Sequence, residues 1–213
     1  MKSISFRNFI VIFTWITTAG CNSSSTAPEP TPKTDTGAVG ESVAEPLPAA
    51  PVRPPVINIT DTLQAEKLVL CVRDSASVYE RIAPKLGEIY LVKIGGLISK
   101  SGLRITGKPM AWFTKRGSAY FFEAGFPVDK KTAKLPAQYF FRKIGPDSVT
   151  LAHFYGPYQQ VAEGYLVVEE YLRNNHRKAG GQPYEVYVDD PIDSEGKPKD
   201  PWKVQTDLVF PRK

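Results

Sequence analysis

The chain is poor in the residues that most often carry catalytic or metal chemistry. Its 213 residues include two histidines, two cysteines and two methionines. Two cysteines cannot build the disulfide framework of a small stapled domain. His153 and His176 stand 23 residues apart, and no cysteine or acid completes a metal-ligand spacing around them. Neither a metal nor a cofactor is expected. There is no Gly-rich phosphate loop, no Gly-x-Ser-x-Gly elbow and no His-Glu-x-x-His. No apolar run reaches the roughly 20 residues that a membrane-spanning helix needs. The formal net charge is +5, but Lys and Arg are scattered, with one short cluster at Lys130, Lys131 and Lys134. Nucleic-acid binders gather such residues on one stripe or face, so no nucleic-acid partner is expected.

Apolar residues make up 42% of the chain and charged residues 23%, enough for a real core. The 19 prolines are unevenly placed. Residues 1–21 carry Lys2 and Arg7, then a short apolar stretch from Phe9 to Ile16, then Thr17-Thr18-Ala19-Gly20 before Cys21. This is the layout of a secretory signal. Ala-Gly-Cys resembles the bacterial lipobox, which implies cleavage before Cys21 and lipidation of its thiol. Thr18 departs from that pattern, where Leu is usual, and an ordinary signal with an incidental cysteine is the alternative. The expected location is the cell envelope, outside the cytoplasm, anchored to the membrane through Cys21. Residues 22–56 are rich in Ser, Thr, Ala, Pro and Glu and show no apolar periodicity, which predicts an extended tether. The folded domain is expected over 57–213.

Within it an internal repeat stands out. Gly107-Lys-Pro-Met-Ala-Trp-Phe113 parallels Gly181-Gln-Pro-Tyr-Glu-Val-Tyr187, and Phe122-Glu-Ala-Gly-Phe-Pro127 parallels Thr206-Asp-Leu-Val-Phe-Pro211. Apolar residues at spacings of three and four predict a helix over 82–100 (Ile82, Leu86, Ile89, Tyr90, Ile94, Leu97, Ile98) and a second over 159–176, stopped by Gly180-Gly181. Runs rich in Val, Tyr, Phe and Trp predict strands at 67–73, 110–115, 119–126, 138–143, 149–154, 184–188 and 204–210. Lys115-Arg116 reads as a charged hairpin tip. The order strand, helix, strand, strand, given twice, predicts an α+β fold with a mainly antiparallel sheet covered by two helices. Cys71 lies inside the apolar run Leu68–Val72 and reads as a small buried hydrophobe.

Residues 153–191 contain an aromatic-Gly-Pro-Tyr turn (Tyr155–Tyr158), a helix, Gly181-Gln-Pro183, and Glu185-Val-Tyr187 followed by Asp190-Pro191. The first half offers Gly107-Lys-Pro-Met110 and Glu123-Ala-Gly-Phe-Pro127. In order and spacing these motifs resemble the GyrI-like effector-binding domain, over about residues 60–213. The resemblance implies a tandem βαββ fold with a pseudo-twofold axis and a ligand cleft near it. It also implies binding of lipophilic, often cationic, molecules, and some relatives hydrolyse small electrophilic compounds.

Glu185 is the leading candidate site residue. It sits among aromatics in an apolar strand, where an acid costs free energy unless paired and so invites a cationic ligand. An acid on the solvent face of a half-exposed strand is the alternative. Glu123 and its repeat counterpart Asp207 are weaker candidates, since acids in a sheet commonly face solvent. Tyr155, Tyr158, Tyr187, Trp112 and Trp202 are candidate cleft walls, because aromatic faces attract cations; core packing is equally open for them. His153, just before the Tyr155 turn, is a lesser candidate, and His176 reads as a cap at a helix end. The functional expectation is a membrane-tethered binder of small amphipathic molecules, more an acceptor of ligand than an enzyme. The alternatives are a hydrolase using a cleft carboxylate, and a structural or partner-binding lipoprotein.

Overall fold

A computed structural model describes residues 53–115 and 119–213. The expected signal, Cys21, the tether up to residue 52 and Arg116 lie outside the described residues.

Eight strands form one antiparallel sheet. They are β1 (Val56–Gln64), β2 (Lys67–Ala76), β3 (Met110–Lys115), β4 (Tyr120–Val128), β5 (Tyr139–Ile144), β6 (Asp147–Tyr155), β7 (Tyr184–Tyr187) and β8 (Gln205–Pro211). Their order across the sheet is β1-β6-β8-β7-β3-β4-β2-β5. Counted outward from the centre, β3, β4, β2 and β5 on one side match β7, β8, β6 and β1 on the other. This palindrome is the pseudo-twofold relation of two βαββ repeats, so the fold is the expected α+β architecture. The strand β1 is outside the pattern read from sequence. Its apolar residues are few, and it is held by pairing along its whole length with β6, from Val56 opposite Tyr155 to Gln64 opposite Asp147. Such an edge strand is specified by its neighbour more than by its own composition.

The first helical arm is not one regular helix. A 3-10 turn (Tyr79–Arg81) leads into α1 (Ile82–Gly87), a π-helical segment (Glu88–Ile94) and α2 (Gly95–Ser101). The reason lies in the apolar spacing. Ile82, Leu86, Ile89, Ile94 and Ile98 are all buried, and the step from Ile89 to Ile94 is five residues. An α-helix would rotate Ile94 off the stripe, whereas a wider π turn returns both isoleucines to the sheet.

The second arm is a 3-10 turn (Tyr158–Gln160) followed by α3 (Val161–Asn174). Gly164 lets α3 approach the sheet: a Cβ there would lie 2.7 Å from Leu208 Cδ1 and 3.0 Å from Phe154 Cδ2. The helix ends earlier than Gly180-Gly181 suggests, because His176 adopts a left-handed conformation at φ 52° and turns the chain away. Gly180 answers a different need, since a Cβ there would meet the Arg212 backbone at 2.5 Å.

The helices cover one face of the sheet. The opposite face forms its own core of Val69, Cys71, Met110, Trp112, Val149, Tyr184 and Val209. It is closed by curling of the sheet. The links β1–β2 and β5–β6 meet, so that a Cβ on Gly145 would lie 2.8 Å from the Ala65 carbonyl oxygen. Cys71 is fully buried in that core, and burial pushes its thiol up to about 12.

Gly125 marks the tightest contact between strands. A Cβ there would lie 2.2 Å from the Leu70 carbonyl oxygen and 2.9 Å from Cys71 Sγ. The carbonyl cannot move without disturbing the β2–β4 pairing. Gly125→Ala should therefore destabilise the fold by about 3 kcal/mol, the upper range for overpacking, read as a lower urea midpoint at unchanged slope.

Candidate functional site

The central strands β3 and β7 meet at the pseudo-twofold axis, where Ala111 pairs with Glu185. On its other side Glu185 faces Leu208 of β8. Leu208 belongs to the core beneath α3, so Glu185 projects toward the helices. It is fully buried. A buried carboxyl group needs hydrogen-bond donors, and tyrosines supply them. The hydroxyls of Tyr158 and Tyr187 donate to Oε2 at 2.7 and 2.8 Å, and Tyr165 donates to Oε1 at 3.2 Å. The Tyr158 and Tyr187 hydroxyls are 3.3 Å apart.

Local structure explains this convergence. Tyr187 is two residues along β7 from Glu185 and therefore shares its face. Tyr158 opens the turn into α3, and Tyr165 lies seven residues later, on the same side of that arm. Around the carboxyl the aromatic rings form a continuous chain. Phe126 contacts Tyr90 at 5.2 Å between centroids, Tyr90 contacts Tyr187 at 6.2 Å, and Tyr187 contacts Tyr158 at 6.1 Å. Tyr158 stacks on Tyr79 at 6.0 Å, and Tyr79 meets Tyr120 edge-on at 6.1 Å. Tyr79 and Tyr158 open the two 3-10 turns, at matching places in the two repeats. Tyr90 comes from the π segment and donates its hydroxyl to the Met110 carbonyl at 2.9 Å.

The site breaks the internal symmetry. Where the second repeat has Glu185 and Tyr187, the first has Ala111 and Phe113. A single acid therefore stands at the axis. The surroundings hold the neighbouring phenols in their protonated, donating form. Burial, reinforced by Glu185, raises both Tyr187 and Tyr90 well above the ordinary phenol range.

Of the eight residues singled out from sequence, the structure brings three together here: Glu185, Tyr158 and Tyr187. The strand period of two places Trp112, Glu123, Asp207 and Tyr155 on the opposite face. There Glu123 takes Arg142 Nη1 at 2.6 Å and Arg73 Nε at 2.9 Å. The Arg142 guanidinium lies 4.5 Å from the Trp112 ring centroid, so Trp112 packs in the core of that face. Asp207 Oδ1 lies 2.7 Å from His153 Nδ1 and accepts from Gln205 Nε2 at 2.7 Å. Tyr155 donates to Gln205 Oε1 at 2.7 Å. Trp202 lies in a separate 3-10 turn (Pro201–Lys203), with the Arg53 guanidinium 5.3 Å from its ring centroid. Around the carboxyl, the tyrosines not singled out as site residues from sequence are Tyr79, Tyr90, Tyr120 and Tyr165. Two had a legible signal: Tyr165 by its spacing from Tyr158, and Tyr79 by its equivalence to Tyr158 in the repeat.

No family model matches the chain, and no curated protein does. Solved structures do. The EcmrR chain of a cryo-EM EcmrR–DNA complex superposes with a TM-score of 0.60 at 16% identity, covering 74% of this chain and 57% of that one. The crystal structure of the EcmrR C-terminal domain gives 0.58 at 17% identity, covering 74% and 98%. An uncharacterized conserved protein from Listeria innocua gives 0.52 at 12% identity, covering 77% and 94%. The chain thus spans little more than half of the EcmrR chain but nearly all of its C-terminal domain. These likenesses establish the fold, which is the GyrI-like effector-binding fold.

The buried phenols carry a pH signature. In the unfolded chain Tyr90 and Tyr187 ionise near pH 10, and in the folded chain they ionise higher. The unfolded state therefore loses these protons first as pH rises, so stability that is intact below about pH 10 declines above it. Tyr187→Phe should flatten that decline while costing about 1–3 kcal/mol at neutral pH, the range for a buried polar group that loses a partner. Urea midpoints measured from pH 7 to 11 check both.

Proposed function

We propose that this chain is a small-molecule binding protein that takes a lipophilic or amphipathic cation at Glu185. We further propose that it holds this site outside the cytoplasm on a lipid anchor at Cys21. The observation that carries the binding reading is a fully buried carboxyl group on the pseudo-twofold axis, ringed by tyrosines. Such a group is costly in a core and contributes little to packing that an aliphatic residue would not. It becomes useful when a positive charge replaces the tyrosine hydroxyls as its partner.

The ring chain supplies the rest of the site. Each phenol face contributes about 0.5–2 kcal/mol to a cation stacked on it. In this structure the tyrosine hydroxyls occupy the acceptor positions of the carboxyl, and entry of a cation exchanges them for the ligand. Tyr79 and Tyr158, stacked between the two helical arms, are the rings that must part. A hydrolase needs a water activated by the carboxyl, and here the Glu185 oxygens already accept three phenols, which favours binding over turnover. The extracytoplasmic setting rests on the basic start, the apolar stretch and Ala19-Gly20-Cys21 of the sequence. Among the described residues no helix is long and apolar enough to cross a membrane.

Thermal unfolding of the full chain against lipophilic monocations, neutral analogues and anions tests the binding reading. A cation at one hundred times its dissociation constant should stabilise the fold by about 2.7 kcal/mol, and Glu185→Gln should abolish the shift. Absence of a shift with every class would transfer the reading to a partner-binding lipoprotein. Separately, Cys21→Ser should move the protein from the membrane fraction to the soluble one on cell fractionation, and an unchanged distribution would remove the anchor.

A further inference from the structure

At the far end of α3, about 20 Å along the helix from Tyr158, lies a second feature with the opposite charge. Arg177, Lys178, Arg212, Lys213 and His176 surround a recess of about 480 Å³, with Asp61 as its acid. Asp61 is already committed. Its Oδ1 accepts from Thr150 at 2.7 Å, while its Oδ2 faces Arg212 Nη1 at 3.2 Å and Arg177 Nη2 at 3.3 Å. Two arginines thus share one carboxylate, and Lys178 and Lys213 line the same recess. The Arg212 Nε is buried, with no hydrogen-bond partner among the described residues.

The internal repeat shows what this arrangement lacks. Lys178 and Lys213 are joined by a backbone bond, Lys213 N–H to the Lys178 carbonyl at 3.1 Å. The first repeat has the same bond, Asp129 N–H to the Arg104 carbonyl, also at 3.1 Å. The adjoining bridges correspond as well, Ile105 with Val128 and Ala179 with Arg212. In the first repeat the two positions neutralise each other: Asp129 accepts from Arg104 N at 2.9 Å and from Arg104 Nε at 3.1 Å. In the second repeat both positions are lysines. The side chain that is an acid at Asp129 in one half is a lysine at Lys213 in the other, and two arginines line the same recess.

We infer that this recess is an oxyanion site for a phosphate group, which takes the place that Asp129 fills from within in the first repeat. Lys178 and Lys213 supply point charges, and the uncommitted N–H groups of Arg177 and Arg212 supply directed donors. The phosphate belongs either to a soluble monoester or to a lipid headgroup, since the chemistry recognised is the same. The site is independent of Glu185 and of any ligand bound there.

The test titrates the full chain with inorganic phosphate at pH 8, with ionic strength held constant by chloride, following the backbone amide shifts of residues 176–178. Saturable binding is expected. The double variant Lys178→Ala with Lys213→Ala should weaken it at least about tenfold through loss of two charge-assisted contacts. Lys213→Asp rebuilds the internal pair of the first repeat and should abolish binding with the melting temperature preserved. Lys130→Ala with Lys131→Ala, remote from the recess, should leave it unchanged. A second arm compares phosphatidylcholine vesicles with and without phosphatidic acid. A gain with phosphatidic acid that depends on Lys178 and Lys213 assigns the lipid headgroup, and phosphate binding without that gain assigns a soluble monoester. Binding in neither arm overturns the site. Equal loss in the Lys130/Lys131 control overturns it too, because the effect would then be general charge.

Discussion

The structure is organised around one buried carboxyl group. Glu185 sits where the two repeats meet, in the shortest strand of the sheet, and everything near it answers the cost of placing it there. Two tyrosines hydrogen-bond one of its oxygens and a third the other. They come from the turn before α3, from α3 itself and from the end of β7, so satisfying one group fixes these three relative to one another. A hydrophobic residue at this position would release that constraint and remove the acceptor that the three phenols share.

The two repeats serve as controls for each other. They share strand order, helix placement and the backbone bonds that close each unit, yet they differ at a few chemically decisive positions. At the axis, Ala111 and Phe113 face Glu185 and Tyr187. At the outer end, Arg104 and Asp129 correspond to Lys178 and Lys213. On the face away from the helices, Arg73–Glu123 corresponds to His153–Asp207, and both pairs keep an acid with its basic partner. The repeats match where an acid pairs with a basic side chain across the sheet, and they differ at the axis and at the outer end.

Much of the architecture was legible in the sequence because it rests on local periodicity. The helical stripes, the strand runs and the repeat gave the α+β fold, and Cys71 in its apolar run was rightly placed in a core. What was not legible depended on partners distant in sequence. The strand β1 has little apolar pattern of its own and exists because β6 pairs with it. The π segment is encoded only in a five-residue gap between Ile89 and Ile94. For the site, Glu185, Tyr158 and Tyr187 could be read from a motif, but Trp112, Glu123 and Asp207 fell on the other face. The face of each strand is set by register with its neighbours, and the aromatic runs around Tyr120–Phe122 are apolar on both sides. Tyr90 was read as part of a helical stripe, and only the π turn explains why it reaches the ring chain.

The start of the folded unit lies against the turn that carries Tyr158. A Cβ on Gly156 would come within 3.0 Å of Pro55, and the Gln160 side chain donates to the Arg53 carbonyl at 3.4 Å. Arg53 is thus held at two places, through its carbonyl by the turn that carries Tyr158 and through its guanidinium by Trp202. The residues that enter the domain therefore pack on the same turn whose Tyr158 hydroxyl bonds Glu185, so the entry of the chain and the buried carboxyl share one anchor ahead of the β1–β6 ladder.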